Sequence, residues 1–355
     1  MGSLTETAFY TRRTINWTII GVISYVLLRL LWSLVVTVYL TIFPPKPPPP
    51  NHAFGSLPAI NFPPPQASPS GQLMYQLQTI EGSVPIASET ANVYFMPKKG
   101  ANLLALSTAQ AFAKRLGFTT TPVPEPTSKN IYRFDDLTIP LRHLWYDIVS
   151  TNFIIRYDFQ QDAGLFLNSK VASAVEARAE AKNMLQTYNL YPDDFNGGDV
   201  RITFYKVTDN TLVPVPSQSQ ADAVRVDFYR PNIASTRIVT GTLSEGPVSI
   251  VFSGSGNAKK RVLQFTYSYW PIDYNTLATY SLKTSAQAWQ ELQSGGGYIL
   301  QLPKTPVITV RNIYLAYYDS ISPQTYLQPV FVFEGDGGFI AYVPAINPEF
   351  VESGL

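Results

Sequence analysis

The sequence predicts an α+β protein with one N-terminal transmembrane helix, a Pro-rich tether, and then repeated units of one helix packed on a small antiparallel sheet. The first observation is a long apolar run near the N-terminus, residues 15–43, which carries a single charge. The second is a segment dense in proline, residues 44–70, directly after that run. The third is an alternation of helical and strand-like hydrophobic periods through residues 71–346. A helix that covers one face of an antiparallel sheet buries the apolar surface of both, which favours this architecture.

The run from Ile15 to Phe43 predicts a transmembrane helix. As a helix, its 29 residues extend about 43 Å, which exceeds the roughly 30 Å hydrocarbon core of a bilayer. We place the spanning part at Ile19–Leu40, so the lipid bilayer is the first predicted partner. The residues that follow, Phe43-Pro44-Pro45, lack the small side chains of a signal-peptidase site. We therefore expect an uncleaved anchor rather than the alternative, a cleaved signal peptide.

Positive charge on the N-terminal side predicts the orientation. Arg12 and Arg13 precede the helix, whereas Lys46 is the only charged residue between the helix and Glu81. Because Lys and Arg collect on the cytoplasmic side, residues 1–14 are expected to form a cytoplasmic tail. The chain is then a single-pass protein of the cell membrane, and its C-terminal domain is extracytoplasmic.

Arg29 lies in the middle of the apolar run. A central arginine costs about 2.5–3.5 kcal/mol on membrane-insertion scales. One interpretation is that the surrounding apolar residues outweigh this cost while the side chain reaches towards the interface. The other is that Arg29 pairs with an acidic group or with carbonyl oxygens on a partner helix. Arg29 is therefore the candidate partner-binding residue within the membrane.

Composition limits the classes of function. The chain has no cysteine, which excludes disulfides, thiolate nucleophiles and cysteine metal sites. A hydrophobic content of 45% and an aromatic content of 13% are typical of folded β-rich domains rather than disordered chains. The net charge of +1 and the absence of a basic stripe argue against nucleic acid as a partner. An extracytoplasmic bacterial protein fits these observations.

The Pro-rich segment, Pro44–Ser70, predicts a linker. Prolines this dense favour an extended, semi-rigid conformation of about 3.1 Å per residue. Such a linker would hold the folded part away from the bilayer. His52 lies in it and is expected to be solvated.

Three helix-plus-strand units are predicted, at residues 71–165, 166–275 and 276–346, with a tail at 347–355. Each helix has a Ser or Thr three residues before a Gln or Glu, which is the spacing of a capping box. These pairs are Ser107 with Gln110, Ser173 with Glu176, and Thr284 with Gln287. Gly117 and Gly295 follow the first and third helices, where a left-handed residue often ends a helix.

Strand-like runs follow each helix, and the middle unit has additional ones. They either alternate apolar and polar residues or form short apolar runs between turn residues. They are Ile131–Phe134, Ile148–Phe159, Val200–Val207, Ala223–Tyr229, Arg237–Leu243, Val248–Phe252, Val262–Tyr269, Ile308–Tyr318, Val330–Glu334 and Phe339–Val343. The glycine-rich stretch Gly335–Gly338 predicts a hairpin between the last two strands.

The closing unit, Ser281–Ile346, carries a resemblance to a known family. It contains a capped helix (SLKTSAQAWQELQSGGGYI), a strand with paired tyrosines (NIYLAYY), and a Gln-Pro in YLQPVFVFEG, followed by AYVPAI. This stretch is similar to the closing unit of the YycH/YycI regulators of a bacterial sensor histidine kinase, and the chain resembles PepSY-type repeats more broadly. The resemblance implies a protein without catalytic residues that holds a kinase in check through its membrane helix and its outer domain. The Pro-rich tether and the strands at 237–269 depart from that pattern.

Patterns for catalysis are weak. A serine hydrolase needs a histidine, and His143, the only one in the predicted units, lies beside bulky apolar residues without a GxSxG turn. No phosphate-binding loop and no HExxH motif is present. We therefore expect no catalytic residue and no cofactor.

One acidic stretch, YPDDFNGGD, offers oxygen ligands for Ca²⁺. Its candidate ligands are Asp193, Asp194, Asn196 and Asp199. Their spacing differs from that of an EF-hand loop, and Asp, Asn and Gly are common in turns. We therefore expect a turn rather than a metal site.

Aromatic residues are the remaining candidates for partner binding by the outer domain. They are Tyr269, Trp270, Tyr317 and Tyr318. Tyr and Trp are enriched in binding hot spots, and strand alternation places some of these side chains outward. The alternative is that they fill the core between helix and sheet.

The sequence thus predicts a non-enzymatic extracytoplasmic domain that binds and regulates or scaffolds another membrane or envelope protein. A sensor histidine kinase is the partner that the resemblance implies. One alternative is a cell-surface structural or adhesive protein that self-associates through sheet edges and aromatic patches, so a homo-oligomer stays open. A second alternative is a hydrolase whose site is not recognised.

Overall fold

The structure is a computed structural model that describes residues 4–42, 49–64, 73–100, 102–162, 164–167, 170–243, 245–303 and 305–352. The chain divides into two compact units, residues 1–49 and residues 50–355. The helices are α1 (Leu4–Ile42), α2 (Ala105–Arg115), α3 (Ala174–Thr187), α4 (Ala258–Arg261) and α5 (Ser285–Gln293). The strands are β1 (Met74–Leu77), β2 (Thr90–Phe95), β3 (Val123–Pro124), β4 (Ile131–Asp135), β5 (Arg142–Asp147), β6 (Phe153–Tyr157), β7 (Val200–Thr208), β8 (Thr211–Val215), β9 (Ala223–Phe228), β10 (Arg237–Thr240), β11 (Val248–Ser253), β12 (Val262–Tyr267), β13 (Asp273–Ser281), β14 (Tyr298–Gln301), β15 (Val307–Asp319), β16 (Tyr326–Gly335) and β17 (Ile340–Pro344).

Helix α1 makes up the first unit and confirms the predicted apolar helix. Its stretch Arg13–Tyr39 is long and apolar enough to cross a membrane, and its 18-residue apolar window has a mean hydropathy of 2.3. The helix begins at Leu4, so the described part of the predicted N-terminal tail is helical. Arg29 lies within the apolar stretch, and its side chain is exposed. The described residues thus contain one candidate membrane span, as expected for a single-pass protein, while Phe43 lies outside them.

Nine strands of the second unit form one antiparallel sheet in the order β3-β4-β5-β6-β12-β11-β9-β7-β8. Helices α2 and α3 pack on one face of this sheet, where Ala177, Ala181 and Leu185 of α3 are fully buried. Residues four positions apart share one side of a helix, which explains this apolar stripe. The capping box predicted for α3 is confirmed, because Ser173 Oγ accepts the Glu176 N–H at 3.3 Å and Glu176 Oε2 accepts the Ser173 N–H at 2.8 Å.

The other eight strands form a mixed sheet along the path β1-β15-β16-β17-β14, with β10 against β15 and with β2 joining β13 to β16. Helix α5 packs on it through Ala288 and Leu292. The capping box predicted for α5 is confirmed, because its N-cap Thr284 exchanges both hydrogen bonds with Gln287. The predicted hairpin between β16 and β17 is also confirmed: Gly337, at the turn, has a φ of +67°, a region that glycine enters at little cost.

The predicted arrangement of one helix on each small sheet is not confirmed. Strand β6 pairs with β12, with Ile154 opposite Thr266, so strands on both sides of α3 join one sheet and α2 shares it with α3. Pairing between strands of different predicted helix-plus-strand units removes free sheet edges, whose unpaired N–H and C=O groups favour the addition of strands. The cap predicted at Ser107 is wrong, because α2 starts after Leu104 and Ser107 Oγ donates to the Leu104 carbonyl at 2.8 Å.

Part of the predicted linker, residues 51–62, packs against the folded unit, and we name it the strap. Leu57 is fully buried and forms a parallel bridge with Val351. The Tyr280 hydroxyl donates to the Gly55 carbonyl at 2.8 Å, and Phe62 stacks on Tyr298 at 5.0 Å between ring centroids. Apolar side chains between the prolines therefore make this segment part of the core.

His52 in the strap is half-buried rather than solvated. Its ring stacks on Phe350 with centroids 3.8 Å apart and meets Tyr280 edge-on at 5.2 Å. The expectation of a solvated histidine is wrong because the strap brings the ring onto an aromatic surface that is distant in sequence.

Arg230 joins the two sheets through buried ion pairs. It follows β9 of the nine-stranded sheet, and its Nε donates to Asp319 Oδ2, at the end of β15 in the other sheet, at 2.8 Å. The guanidinium, which has 0% exposure, also donates to Asp194 and to the Trp270 carbonyl, and it lies over the Tyr269 ring at 4.7 Å. Burial favours loss of the proton, but the charge of Asp319 and its hydrogen bond hold the pKa of Arg230 above its usual value.

A second buried charge, Asp136, gives the nine-stranded sheet a pH-dependent contribution. Its side chain is almost fully buried, its Oδ1 accepts the Thr138 N–H at 2.8 Å, and Lys259 Nζ lies 3.0 Å from Oδ2. Burial opposes ionisation, but the hydrogen bonds from Thr138 and Lys259 outweigh it and lower the pKa of Asp136 to about 2. The stabilisation is therefore complete above the unfolded pKa of about 3.9 and is lost as the pH falls through about 2.

We expect Asp136→Asn to lower the free energy of unfolding by about 2 kcal/mol at pH 7 and by progressively less between pH 4 and pH 2. Urea unfolding of the full chain in detergent micelles, followed by near-UV circular dichroism, measures both. The control is Asp209→Asn, at an exposed turn residue with a φ of +49° that asparagine also adopts. An equal loss at pH 7 and pH 2 would show that the charge of Asp136 is not the cause.

Candidate binding groove at an open sheet edge

Strand β15 has an incompletely covered edge. Strand β16 pairs along one side of it, from Val310 to Tyr318. On the other side, β1 pairs in parallel with residues 307–310 and β10 pairs in parallel with residues 316–319. On this second side, residues 311–315 therefore pair with no strand within the described part of the chain. This five-residue stretch, which we name the edge gap, is open between two strands that run in the same direction.

A groove of about 500 Å³ follows the edge gap. Residues 311–315 form its floor, and its walls come from the segments just after β1 and just before β10. The lining side chains include those of Thr79, Ile80, Glu81, Pro85, Ser235, Arg237 and Glu334. Ile80 is fully exposed at the rim. The groove thus combines an open backbone edge with apolar and charged side chains.

The turn before β10 presents one of these walls in a fixed conformation. Ile233 and Thr236 exchange backbone hydrogen bonds of 3.0 and 2.8 Å across the turn. The two residues between them, Ala234 and Ser235, have φ values of +45° and +70°. Non-glycine residues in this region cost of order 1 kcal/mol each, and such conformations cluster at functional sites.

Hydrogen bonds fix the polar side chains of the floor. The Tyr314 hydroxyl donates to Glu334 Oε1 at 2.6 Å, and Asn312 Nδ2 lies 3.4 Å from Glu334 Oε2. Burial, together with the hydrogen bond to Glu334, raises the pKa of Tyr314 to about 12, so the ring stays neutral. The Arg237 guanidinium lies over this ring, 5.0 Å from its centroid. The floor is therefore ordered before any ligand binds.

This arrangement suits an extended peptide. Five residues of strand span roughly 16 Å, which fits a short segment whose main chain pairs with the edge gap. In strand addition, main-chain hydrogen bonds supply affinity and alternate side chains supply specificity. The flanking strands β1 and β10 limit the length of the added segment.

The predicted residues Tyr269 and Trp270 lie elsewhere, in a second cleft of about 240 Å³. The Trp270 side chain is buried, and its indole N–H donates to the Ile321 carbonyl at 3.1 Å. The half-buried Tyr269 donates its hydroxyl to Asp194 Oδ1 at 3.0 Å, and burial raises its pKa to about 12. These contacts hold both aromatic side chains in the junction between the sheets.

Tyr317 and Tyr318 are 5% and 1% exposed and belong to the core. The Tyr317 ring meets Tyr94 edge-on at 5.5 Å, and Tyr318 packs against Phe62 of the strap at 4.8 Å. In this conformation they offer no outward surface to a partner. Arg29, the predicted residue in the membrane, is the outward-facing member of the predicted set.

His143 and the acidic stretch have structural partners. His143 Nδ1 lies 2.6 Å from Asp135 Oδ1, and its Nε2 lies 3.6 Å from Asp158 Oδ2. In the acidic stretch, Asp194 pairs with Arg230, and residues 193–195 form a turn of 3₁₀ helix. In the part of the chain that the structure describes, no cluster of three or more His, Asp or Glu side chains is suited to a metal ion.

The sequence analysis did not identify the groove residues Arg237, Tyr314 and Glu334 as a site. They lie in predicted strands, but only the parallel pairing of β10 with β15 brings Arg237 to Tyr314. No local pattern in the sequence signals that pairing. The length of β15, 13 residues, is the available hint. Strands in globular proteins usually have about 3–10 residues, so a longer strand can pair with two short strands on one side.

Comparisons with known proteins assign no family. No protein-family model matches the chain, and no curated protein matches it. The crystal structure of an uncharacterized protein from Eubacterium rectale is similar at 12% sequence identity, with a TM-score of 0.36, over 72% of this chain and 82% of that chain. The geometry of the groove is therefore the basis for a functional assignment.

Proposed function

We propose that this chain is a membrane-anchored, non-enzymatic binding protein that captures an extended segment of another envelope protein. The observation that carries this proposal is the edge gap, a backbone edge left open between two parallel strands. Helix α1 supplies the anchor. Arg12 and Arg13 on its N-terminal side support a cytoplasmic N-terminus and an extracytoplasmic second unit.

The groove favours a peptide over a compact ligand. Its floor is a strand edge, and its opening is elongated between β1 and β10 rather than enclosed. A sensor histidine kinase as the partner is supported by the resemblance of Ser281–Ile346 to the YycH/YycI regulators. In that case Arg29 would supply a second contact, to an acidic or carbonyl group on the kinase's membrane helix.

Site-specific photocrosslinking in native membranes tests the proposal. A benzophenone amino acid replaces Asn312, which is exposed on the floor of the groove. The matched control places the same group at Val175, which is 79% exposed on α3. We expect one predominant adduct at position 312, with a different envelope protein, and no such adduct at position 175.

Two results would contradict the proposal. The same adduct at both positions would mean that the groove has no special role. An adduct at position 312 that contains only this chain would instead support the self-associating structural protein, because two open edges can also pair with each other.

A further inference from the structure

The two arginines beside the edge gap, Arg311 and Arg237, differ in their ion pairs. Arg311 donates to Asp336 from Nε at 3.0 Å and from Nη2 at 2.7 Å, and its Nη1 donates to Gln78 Oε1 at 2.8 Å. Both ends of this guanidinium are therefore occupied. Arg311 contributes no unmatched charge to the groove.

Arg237 differs from Arg311. Its exposed guanidinium lies over the Tyr314 ring and forms no ion pair with any described residue. Glu334, the nearest acid of the floor, accepts hydrogen bonds from Tyr314 and Asn312 instead. The guanidinium also shares a side-chain hydrogen bond with Tyr314. Because a guanidinium carries several N–H groups, those that Tyr314 does not use remain available at the rim, where they can bind a carboxylate.

The register of β10 gives the position of that carboxylate. Arg237 stands opposite Ala316, and Tyr314 is two residues earlier on the same face of β15. A strand that fills the edge gap lies in line with β10, on the same side of β15. Its residue opposite Tyr314 is then about 7 Å from Arg237 along the strand direction and on the same face of the sheet. This distance is within reach of the arginine side chain. At the other end of the groove, near β1, the rim carries the exposed Glu81.

We infer that the segment bound in the edge gap presents an acidic side chain to Arg237, at the β10 end of the groove. This inference rests on the proposed strand addition and specifies the chemistry of the partner. A basic side chain at that position would meet Arg237 as a like charge, which binding interfaces use to reject wrong partners. The opposite charge of Glu81 at the β1 end favours a single direction for the bound segment.

Binding of three synthetic peptides to the full chain in detergent micelles tests this inference. The probes are fluorescein-labelled TVTDT, TVTNT and TVTKT, with blocked termini, and the readout is fluorescence anisotropy. When such a peptide fills residues 311–315 in the direction of β10, its fourth residue lies opposite Tyr314, on the face of Arg237. We expect TVTDT to bind about 10-fold more tightly than TVTKT, with TVTNT between them. Arg237→Glu should reverse that order. Lys129→Glu, an identical charge change at an exposed residue outside the groove, should leave the order unchanged.

The outcomes distinguish the preference for an acidic side chain from strand addition itself. If all three peptides bind equally to the wild-type chain and Arg237→Glu changes nothing, the acidic preference is overturned while strand addition stands. If no peptide binds to the wild-type chain, both the acidic preference and strand addition at this edge are overturned.

Discussion

Replacing Arg230 by methionine is expected to lower the free energy of unfolding by about 3–5 kcal/mol. The substitution leaves Asp319, which is 4% exposed, and Asp194 without their shared cation. A buried carboxylate that has lost its partner retains its full desolvation cost, whereas the pair itself contributes little net stability.

Urea unfolding of the full chain in micelles measures this loss, and the double variant Arg230→Met with Asp319→Leu identifies its cause. Because the second change removes one stranded charge, the double variant should recover part of the stability lost in the single one. Arg156→Met, at an exposed position on β6, is the control and should change stability by less than about 0.5 kcal/mol. A loss of under about 1 kcal/mol for Arg230→Met would mean that the junction does not depend on this cation.

Leu57→Ala is expected to lower the free energy of unfolding by about 2–5 kcal/mol. The side chain has 0% exposure and packs in the core of the eight-stranded sheet with Tyr280 and Ile346. Truncation removes its transfer free energy and leaves a cavity that the surrounding strands only partly close. The same urea titration provides the measurement.

The control for Leu57→Ala is Leu103→Ala, because Leu103 is a fully exposed leucine in the loop before α2. If the strap were a solvated linker, both substitutions would be equally harmless. Equal, small effects of the two would therefore contradict its place in the core.

Elements with local signals were predictable from the sequence. The length and apolarity of α1 do not depend on any partner, and the capping boxes of α3 and α5 use residues within one turn. Gly337 similarly indicates its turn because few other residues adopt its φ at low cost.

Strand partnership was not predictable, because it depends on residues far apart in the chain. The pairing of β1 and β10 with β15, which creates the edge gap, has no counterpart in local periodicity. The burial of the aromatic candidates Trp270, Tyr317 and Tyr318 was not predictable for a related reason. Alternation assigns a side chain to a face, but the buried Tyr317 and Tyr318 show that both faces of β15 are covered near its end. The sequence alone cannot tell a covered face from an open one.

The bridge between Leu57 and Val351 sets an order for biosynthesis. The Leu57 N–H donates to the Phe350 carbonyl and the Glu352 N–H donates to the Leu57 carbonyl, both at 2.8 Å. The strap leaves the ribosome well before these partners. Its site therefore stays vacant until residues 350–352 have been synthesised, and a chain that stops before them exposes an apolar slot that quality-control proteases can recognise.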